Sequence, residues 1–491
     1  MDVINELSTG ELILLIVTAI MVIFTFLKID SLTIPSDSDK LTGKAKARYP
    51  TVNNKLLYKI PTGIVFGKWK KKYVCKDIKD DGHCFLIGGS GSGKSSCLVI
   101  PTLLSNPNVT SFVLDIKGEL SFKSVKYGTE KLLIFNPQDR NTHGYNPFFL
   151  LDEKSSSQQI LETMQIIAFS LIQIPATVKD PFWKTSARNL LIGLLIYYYK
   201  QTKAGFVDVI DLILSKPIRD SIITVMDNAN PNSNEYRYIN QFSEMAEETL
   251  GGIVAEMNNH LVIFVNDMDI RFAFNDNALK INPQMLEAGF SIYLSIREEK
   301  LSSYYDVLQL IINQTLAELE KRPEDAAPII FCIDELPRIL SAGKIDRLLD
   351  GARTLRSRKV TLFLITQSTE ALMTAFTENE VADLISNCPY VVVLSASSSK
   401  TQRMVCEWCG RFKAKKRQWN EDGKRRRLSI SYEDKPIVTP DELMTLQNTG
   451  EAILISPYGY SRIKKTPYYE DNHFKGKADE IIKYNKVISN M

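Results

Sequence analysis

The sequence of 491 residues has little histidine or cysteine and almost no excess of charge. Its four histidines are scattered, so they do not indicate a zinc site. Lys and Arg number 60 against 57 Asp and Glu, and the net charge of +3 excludes a uniformly basic nucleic-acid binder. The seven cysteines are an odd number, which favours reduced thiols over a disulfide framework. Cys406 and Cys409 form a C-x-x-C without a second pair, and we interpret them as packing residues.

Long apolar runs are also rare, and one such run, residues 12–27, contains no charge. As a helix with a rise of 1.5 Å per residue it would be about 24 Å long, slightly short of the hydrocarbon core, and flanking side chains such as Lys28 can cover the difference. The acidic start disfavours a cleaved signal peptide, and the polar residues that follow disfavour a buried core helix. Basic residues after the run predict a single-pass anchor with the remaining chain in the cytoplasm.

Beyond this run the sequence changes texture several times. Residues 29–60 are polar and typical of a linker. Short apolar runs then alternate with helix-length segments in residues 61–151 and again in 278–470, which predicts an α/β fold with a parallel sheet covered by helices. Residues 152–277 contain long segments with a 3.6-residue period and predict an inserted all-helical domain. Residues 471–491 form a C-terminal tail.

The segment GGSGSGKS matches the complete template of a phosphate-binding P-loop, with an apolar strand before it and a helix after it. Its glycines allow backbone torsions that turn amide groups toward phosphates, and the helix N-terminus adds to the attraction. Lys94 is expected to neutralise β- and γ-phosphate oxygens, and Ser95 to ligate Mg²⁺. The residues predicted to bind ATP here are Gly88, Gly89, Ser90, Gly91, Ser92, Gly93, Lys94, Ser95 and Ser96.

The segment PIIFCIDEL supplies the acidic partner of such a loop. Its apolar residues end in Asp334, which is expected to hold Mg²⁺ through water, and Glu335, which is expected to polarise the attacking water. In the next apolar segment, VTLFLITQS, Gln367 ends a predicted strand and can sense the γ-phosphate. The catalytic residues that the sequence predicts are therefore Lys94, Glu335 and Gln367.

A further acidic and basic pair lies after the P-loop helix. FVLDIKGEL puts Asp115 and Lys117 at the carboxyl end of a predicted strand, at the edge where open α/β sheets bind ligands. We therefore include both among the predicted nucleotide-site residues. The alternative is that Asp115 caps the following helix and that its neighbours are solvated.

One segment is strongly basic although the whole chain is nearly balanced. Residues 411–427 carry nine basic and two acidic side chains, a balance of +7. A turn signal at 420–423 predicts a hairpin with Trp419 near its tip. Such an arm can contact nucleic-acid phosphates without base specificity, and the alternatives are a solvated hairpin or one that faces anionic lipid. The predicted nucleic-acid residues are Lys413, Lys415, Arg417, Lys424, Arg425, Arg426 and Arg427.

Together these motifs resemble those of the type IV secretion coupling proteins, membrane ATPases that pass a relaxase–DNA complex to a conjugation channel. The resemblance runs from about residue 62 to 468 and includes GGSGSGKSSC, FVLDIKGEL, YNPFFLL, DPFWKTSARN, CIDELPRI and LITQSTEAL. It implies a RecA-like ATPase domain, the family's all-helical domain at 152–277, and a homo-hexameric ring around DNA. The implied cofactors are ATP and Mg²⁺. The implied partners are DNA, which we expect to be single-stranded, a relaxase, the secretion channel and the bacterial cell membrane.

The resemblance also implies an arginine that reaches the site of the next subunit. ARTLRSRK offers Arg353, Arg356 and Arg358 for this role, although they could equally form a solvated basic helix end. The chain departs from the family pattern in having one apolar N-terminal run where many members have two, and ELPRI where a Phe-Ala pair is common. Two other functions stay open, namely a septal double-stranded-DNA translocase and an assembly ATPase that handles protein without DNA.

Overall fold

A computed structural model describes residues 41–42, 51–174, 178–276, 279–341, 343–422 and 425–489. One compact unit contains residues 51–402 and 440–489, and a second, smaller unit contains residues 41–42 and 403–439. The predicted membrane anchor and most of the predicted linker lie outside the described residues. Within the described ranges, no helix has both the length and the apolar composition that a membrane span requires.

The strands are mostly short and apolar. In chain order they are β1 (Leu41–Thr42), β2 (Leu57–Tyr58), β3 (Ile64–Trp69), β4 (Lys72–Lys76), β5 (Cys84–Ile87), β6 (Thr110–Leu114), β7 (Leu132–Phe135), β8 (Gly144–Tyr145), β9 (Lys280–Ile281), β10 (Ser291–Leu294), β11 (Ile329–Ile333), β12 (Val360–Thr366), β13 (Tyr390–Val393), β14 (Arg411–Asp422), β15 (Arg425–Pro436), β16 (Glu451–Ser456) and β17 (Gly459–Lys464).

The helices fall mainly in the middle of the chain. They are α1 (Ile100–Ser105), α2 (Glu119–Ser124), α3 (Ser157–Leu171), α4 (Phe182–Thr202), α5 (Phe206–Leu214), α6 (Ile218–Asn228), α7 (Asn234–Asn240), α8 (Glu247–Asn266), α9 (Met268–Arg271), α10 (Tyr305–Leu319), α11 (Leu336–Leu340), α12 (Asp346–Thr354), α13 (Glu378–Ser386), α14 (Ser399–Cys409), α15 (Pro440–Thr445) and α16 (Asn472–Ser489). A π-helical turn, Lys94–Val99, leads directly into α1.

A mixed sheet of twelve strands forms the centre of the larger unit, in the order β2-β4-β3-β17-β16-β13-β5-β12-β11-β6-β10-β7. The strands from β13 to β7 are all parallel, and those from β2 to β16 add an antiparallel flank. Strands β5, β11, β12 and β13 are buried along their whole length, as expected for parallel strands covered on both faces. The predicted α/β fold with a parallel sheet is thus confirmed.

Between β8 and β9 the chain is helical from α3 to α9. Helix α3 begins with a capping box in which Ser156 and Gln159 satisfy each other's backbone amides. Aromatic side chains fill the space between these helices, with Phe206 packing edge-to-face against Phe264 at a ring separation of 5.1 Å. The predicted domain limits, 152 and 277, stay a prediction.

The smaller unit contains the predicted basic hairpin. Strands β14 and β15 pair antiparallel from Arg411 with Pro436 to Asp422 with Arg425, and β1 adds to β14 as a third strand. The hairpin prediction is confirmed. Strand β14 extends to Asp422, so Asn420, Glu421 and Asp422, which the turn signal included, are paired with β15.

The last helix, α16, is held at both of its ends by contacts with other parts of the larger unit. Just before its start, Asp471 is buried, forms an ion pair of 2.6 Å with Lys68 and accepts a hydrogen bond of 2.9 Å from the Tyr73 hydroxyl. Near its end, the buried side chain of Asn485 donates to the carbonyl oxygens of Phe122 and Val125. The C-terminal helix α16 therefore packs against α2, the helix that follows β6.

Candidate nucleotide-binding site

The P-loop joins β5 to the π-helical turn, and its neighbours fix its shape. Gly88 donates to the carbonyl of Thr366 at 3.0 Å, and Gly89 donates to the hydroxyl of Ser395 at 2.9 Å. Gly93 has a φ of +94°, and a methyl group at this position would lie 2.8 Å from the Cys97 sulfur. Only glycine meets both conditions without strain.

Lys94 is buried although it carries a charge. Its ammonium group donates to the carbonyl of Gly88 at 3.0 Å and lies 3.2 Å from Oε1 of Glu335. The P-loop lysine and the proposed base are thus in direct contact, although one strand, β12, separates the strands that carry them. The ammonium group is thus held beside the P-loop, and the lysine of such a loop binds the β- and γ-phosphate oxygens.

The contact follows from the order of the strands. Strand β12 lies between β5, which precedes the P-loop, and β11, which precedes Asp334. Because all three strands are parallel, their carboxyl ends meet at one edge of the sheet, where Lys94, Glu335 and Gln367 come together. Gln367, directly after β12, donates from Nε2 to Oε2 of Glu335 at 2.9 Å. The sequence alone could not place these three side chains within contact distance.

Asp334 is buried at the end of β11, and its Oδ1 has no hydrogen-bond partner among the described residues. Burial raises the pKa of this carboxyl to about 7, and the nearby negative charges of Glu335 and Asp115 add to the rise. Lys94 and Lys117 act in the opposite direction. A buried carboxylate with a free oxygen fits a role at a cation.

Glu335 has a left-handed backbone, with φ of +61° and ψ of +50°, at the N-terminus of α11. Such a conformation costs a residue with a side chain about 1–3 kcal/mol and is found mostly at functional sites. Burial alone would raise the pKa of its carboxyl, but the charge of Lys94 and the hydrogen bond from Gln367 outweigh burial, and the pKa is lowered. Glu335 is therefore ionised at neutral pH, as a general base must be.

Asp115 and Lys117 lie at the same edge, after β6. The carboxylate of Asp115 is buried and accepts hydrogen bonds from the amides of Leu120 and Ser121, at 3.1 and 2.7 Å. It therefore caps α2, the alternative that the sequence left open. Lys117 is exposed and adds positive charge near Asp334. Nucleotide contact by either residue stays a prediction.

The remaining P-loop residues differ in their exposure. Ser95, the predicted Mg²⁺ ligand, is half-buried, as is Ser96, while Ser90 and Gly91 are exposed. The hydroxyl of Ser92 is buried and has no partner in the described part of the chain. No cluster of three metal-binding side chains occurs among the described residues. One hydroxyl and one carboxylate, completed by phosphate oxygens and water, are nevertheless a set that suits Mg²⁺.

The three candidate arginines lie at the other edge of the sheet. Arg353 is near the end of α12, and Arg356 and Arg358 are in the turn before β12. Strand β12 has seven residues, and its length separates the arginines from Gln367 by about 20 Å. Arg353 forms ion pairs with Asp383 at 2.7 Å and Asp350 at 3.2 Å, whereas Arg356 is exposed. None of them reaches the site of its own chain.

The predicted nucleic-acid residues lie on the hairpin of the smaller unit. Lys413 is exposed on β14. Lys424 and the side chains of the other five, Lys415, Arg417, Arg425, Arg426 and Arg427, lie outside what the structure describes, although backbone pairing places Arg425 to Arg427 opposite Asn420 to Asp422. Nucleic-acid contact by these residues stays a prediction.

Sequence reasoning missed Ser395 and the segment around residues 446 to 468, which also contact the P-loop. No motif in the sequence singles them out. They reach the loop because β13 pairs with β5 on one side and β16 on the other.

A P-loop between a strand and a helix, with an acidic residue at the end of a second parallel strand and a third strand between the two, is the arrangement found in P-loop NTPases. Within this class, the chain belongs to the type IV secretory system conjugative DNA transfer family, whose sequence model matches residues 36–490.

Relatives at low identity agree with this membership. The chain is 21% identical over 425 residues to protein VirD4 of Agrobacterium fabrum, an alignment that covers 83% of this chain and 62% of that protein. It is 22% identical over 399 residues to the type IV secretion system-coupling protein VirD4 of Bartonella quintana, covering 76% and 60%. The chain thus spans about three fifths of the length of these curated relatives.

Solved structures of the plasmid coupling protein TrwB share the fold. The structure in complex with the ATP analogue ADPNP matches with a TM-score of 0.63 and 16% identity, over 87% of this chain and 97% of that one. An unbound bacterial conjugative coupling protein, TrwBdeltaN70, matches with a TM-score of 0.58 and 17% identity, over 78% and 84%. At this identity the match describes the fold.

Proposed function

We propose that this protein is a membrane-anchored ATPase that couples a relaxase–DNA substrate to a type IV secretion channel and uses ATP hydrolysis to drive DNA transfer. The contact of Lys94, Glu335 and Gln367 at the carboxyl edge of the sheet carries the enzymatic part of the proposal. Family membership and the basic hairpin support the DNA part.

In this proposal each residue of the site has a separate task. The P-loop amides and Lys94 hold the triphosphate and offset charge that develops on its oxygens. Glu335, ionised because of Lys94 and Gln367, accepts the proton of the attacking water, and Gln367 keeps its carboxylate oriented. Ser95 and Asp334 would hold Mg²⁺, which supplies positive charge to the phosphates.

The partners and the assembly are part of the same proposal. We infer that six RecA-like subunits form a ring at the bacterial cell membrane. In this ring one of the three arginines enters the neighbouring subunit's site. The position of Arg353, Arg356 and Arg358 about 20 Å from their own P-loop edge supports a role between subunits. We infer that the cargo is single-stranded DNA with its relaxase.

ATP hydrolysis by the full chain in detergent, with and without single- and double-stranded DNA, tests this function. We expect DNA to stimulate hydrolysis and Glu335→Gln to reduce turnover by about a hundredfold or more while ATP binding is retained. Turnover that ignores DNA at every salt concentration would favour the assembly ATPase. A preference for double-stranded DNA would favour the septal translocase.

A matched pair of triple variants tests the hairpin. Replacing Arg425, Arg426 and Arg427 with Gln should weaken DNA binding and make it less dependent on salt, because three phosphate contacts are lost. The control replaces Lys70, Lys71 and Lys72, three exposed lysines at the β3–β4 turn, in the same way. Equal loss in both variants would mean that only the total charge matters and would remove the hairpin from the DNA surface.

A further inference from the structure

The carbonyl group of Ser96, in the helix after the P-loop, does not receive the hydrogen bond that would continue the π-helical pattern. In the π-helical turn, Ile100 donates to the carbonyl of Ser95, five residues earlier. The next such bond would run from residue 101 to Ser96, but Pro101 has no amide hydrogen. The amide of Tyr468 takes this position and donates to the Ser96 carbonyl at 2.9 Å. The C-terminal part of the chain is thus fastened to the phosphate-binding loop.

Three residues before Tyr468, Lys465 is buried, with 8% of its surface exposed. Its ammonium group donates to the carbonyl oxygens of Leu446 and Gln447, at 3.3 and 3.1 Å. No carboxylate in the described part of the chain forms an ion pair with it, and burial lowers its pKa. Burying a charge without a counter-charge is costly, and this cost calls for a physical explanation.

The turn whose carbonyl groups Lys465 binds, Leu446–Asn448, lies against Gly89 and Gly91 of the P-loop. A methyl group built on Gly89 would be 3.9 Å from Oε1 of Gln447, and one built on Gly91 would be 3.8 Å from its Nε2. The Gln447 side chain therefore spans the outside of the loop. Lys465 also lies close enough to Cys97, in the P-loop helix, for the two groups to influence each other's pKa.

We propose that Lys465 is a positioning residue of the nucleotide site, which holds the 446–448 turn against the P-loop and supplies a second buried positive charge for a polyphosphate. The triphosphate is the counter-charge that the described residues do not provide. The inference rests on the proposed binding of ATP and is independent of the DNA part of that proposal.

The charge on the ligand separates this role from a merely structural one. Without Mg²⁺, ATP carries one more negative charge than ADP, so loss of a nearby positive charge should weaken ATP binding more. We expect Lys465→Gln, which keeps a donor without the charge, to raise the Kd of ATP about tenfold and that of ADP about threefold. Lys465→Arg should restore binding to within about threefold of the unchanged protein.

Equilibrium titration of the full chain with ATP and with ADP in EDTA measures these effects, with Lys464→Gln as the control. Lys464 is the adjacent lysine but is exposed, so its loss should change neither affinity. If Lys465→Gln weakens ATP and ADP by the same factor, or no more than Lys464→Gln does, the inference is wrong. If Lys465→Gln unfolds, Lys465→Arg decides: a folded arginine variant with lost ATP affinity contradicts the inference.

The outcome for the unchanged protein distinguishes the two proposals. Failure of the unchanged chain to bind ATP would overturn the nucleotide site and with it the role of Lys465. Normal binding by the unchanged chain together with an unaffected Lys465→Gln would overturn only the role of Lys465.

Discussion

At the scale of single residues, the site is defined by carboxylates that sit in different surroundings. Asp334 and Glu335 are neighbours in the chain, yet the pKa of one is raised and that of the other is lowered. Asp334 is buried away from a hydrogen-bond donor at Oδ1, whereas Glu335 is paired with Lys94 and Gln367. This difference supports the proposed roles, in which Asp334 holds the cation and Glu335 activates the attacking water.

The raised pKa of Asp334 predicts a stability that depends on pH. A folded pKa of about 7 lies above the unfolded value, so the folded chain binds the proton more tightly between about pH 4 and 7. The buried charge of Asp334 therefore does not reduce the free energy of unfolding below about pH 4. The reduction grows as pH rises and is complete above about pH 7. Asp334→Asn removes it, so this variant should be more stable than the unchanged protein at pH 8, by an amount on the order of a few kcal/mol.

Thermal unfolding in EDTA at pH 5 and pH 8 measures this effect. We expect the gain in Tm of Asp334→Asn to be clearly larger at pH 8 than at pH 5. Asp350→Asn, at an exposed aspartate of α12, provides the comparison and should show a similar small change at both pH values. A gain for Asp334→Asn that is the same at pH 5 and pH 8 would contradict a raised pKa.

At the scale of elements, two glycines inside helices differ in how much space surrounds them. Gly193, inside α4, faces the fully buried Ile239, and a methyl group there would lie 2.7 Å from that side chain. Gly251, inside α8, has no atom within 4 Å of such a methyl group. The same substitution therefore meets a filled space in one helix and open space in the other.

These two glycines predict opposite effects of alanine. Gly193→Ala should lower the free energy of unfolding by about 1–3 kcal/mol, because Ile239 cannot move without disturbing the core. Gly251→Ala should raise it by up to about 1 kcal/mol, because alanine favours a helix and nothing opposes it. Thermal or urea unfolding of both variants measures this. An increase in stability for both variants would show that helix propensity, rather than packing between α4 and α7, controls this region.

At the scale of the whole molecule, a single chain does not complete the proposed site. Arg356 is exposed on the edge of the sheet opposite the P-loop, and within one chain the length of β12 separates them. An arginine at this place does not reach the P-loop edge of its own chain, and in the proposed ring it would act at the site of a neighbouring subunit. Arg353 is already held by Asp350 and Asp383, which makes Arg356 the better candidate.

Mixing two inactive variants tests a site that is shared between subunits. Arg356→Ala and Glu335→Gln should each reduce ATP hydrolysis by about a hundredfold or more, since each removes a group that acts on the transferring phosphate. Their mixture should regain part of the activity, because some interfaces then pair an intact Glu335 with an intact Arg356. Arg353→Ala is the matched control. A mixture that stays as inactive as its components would exclude Arg356 from the shared site.

The sequence by itself determined the nucleotide chemistry and the class of fold. The P-loop template fixes local backbone geometry through its glycines and one lysine, and these requirements are short-range, so they are visible in eight consecutive residues. Apolar runs of strand length, alternating with helical segments, likewise predicted the parallel sheet, and the turn signal at 420–423 predicted the hairpin.

Only the tertiary structure decided which distant residues complete the site. The contact of Lys94 with Glu335 depends on β12 lying between β5 and β11, and that order arises from pairing between strands far apart in the chain. Ser395, Gln447 and Lys465 carry no motif, because their role comes from the places to which β13 and the antiparallel flank bring them. Their contribution is a matter of long-range packing and burial, which local sequence patterns do not encode.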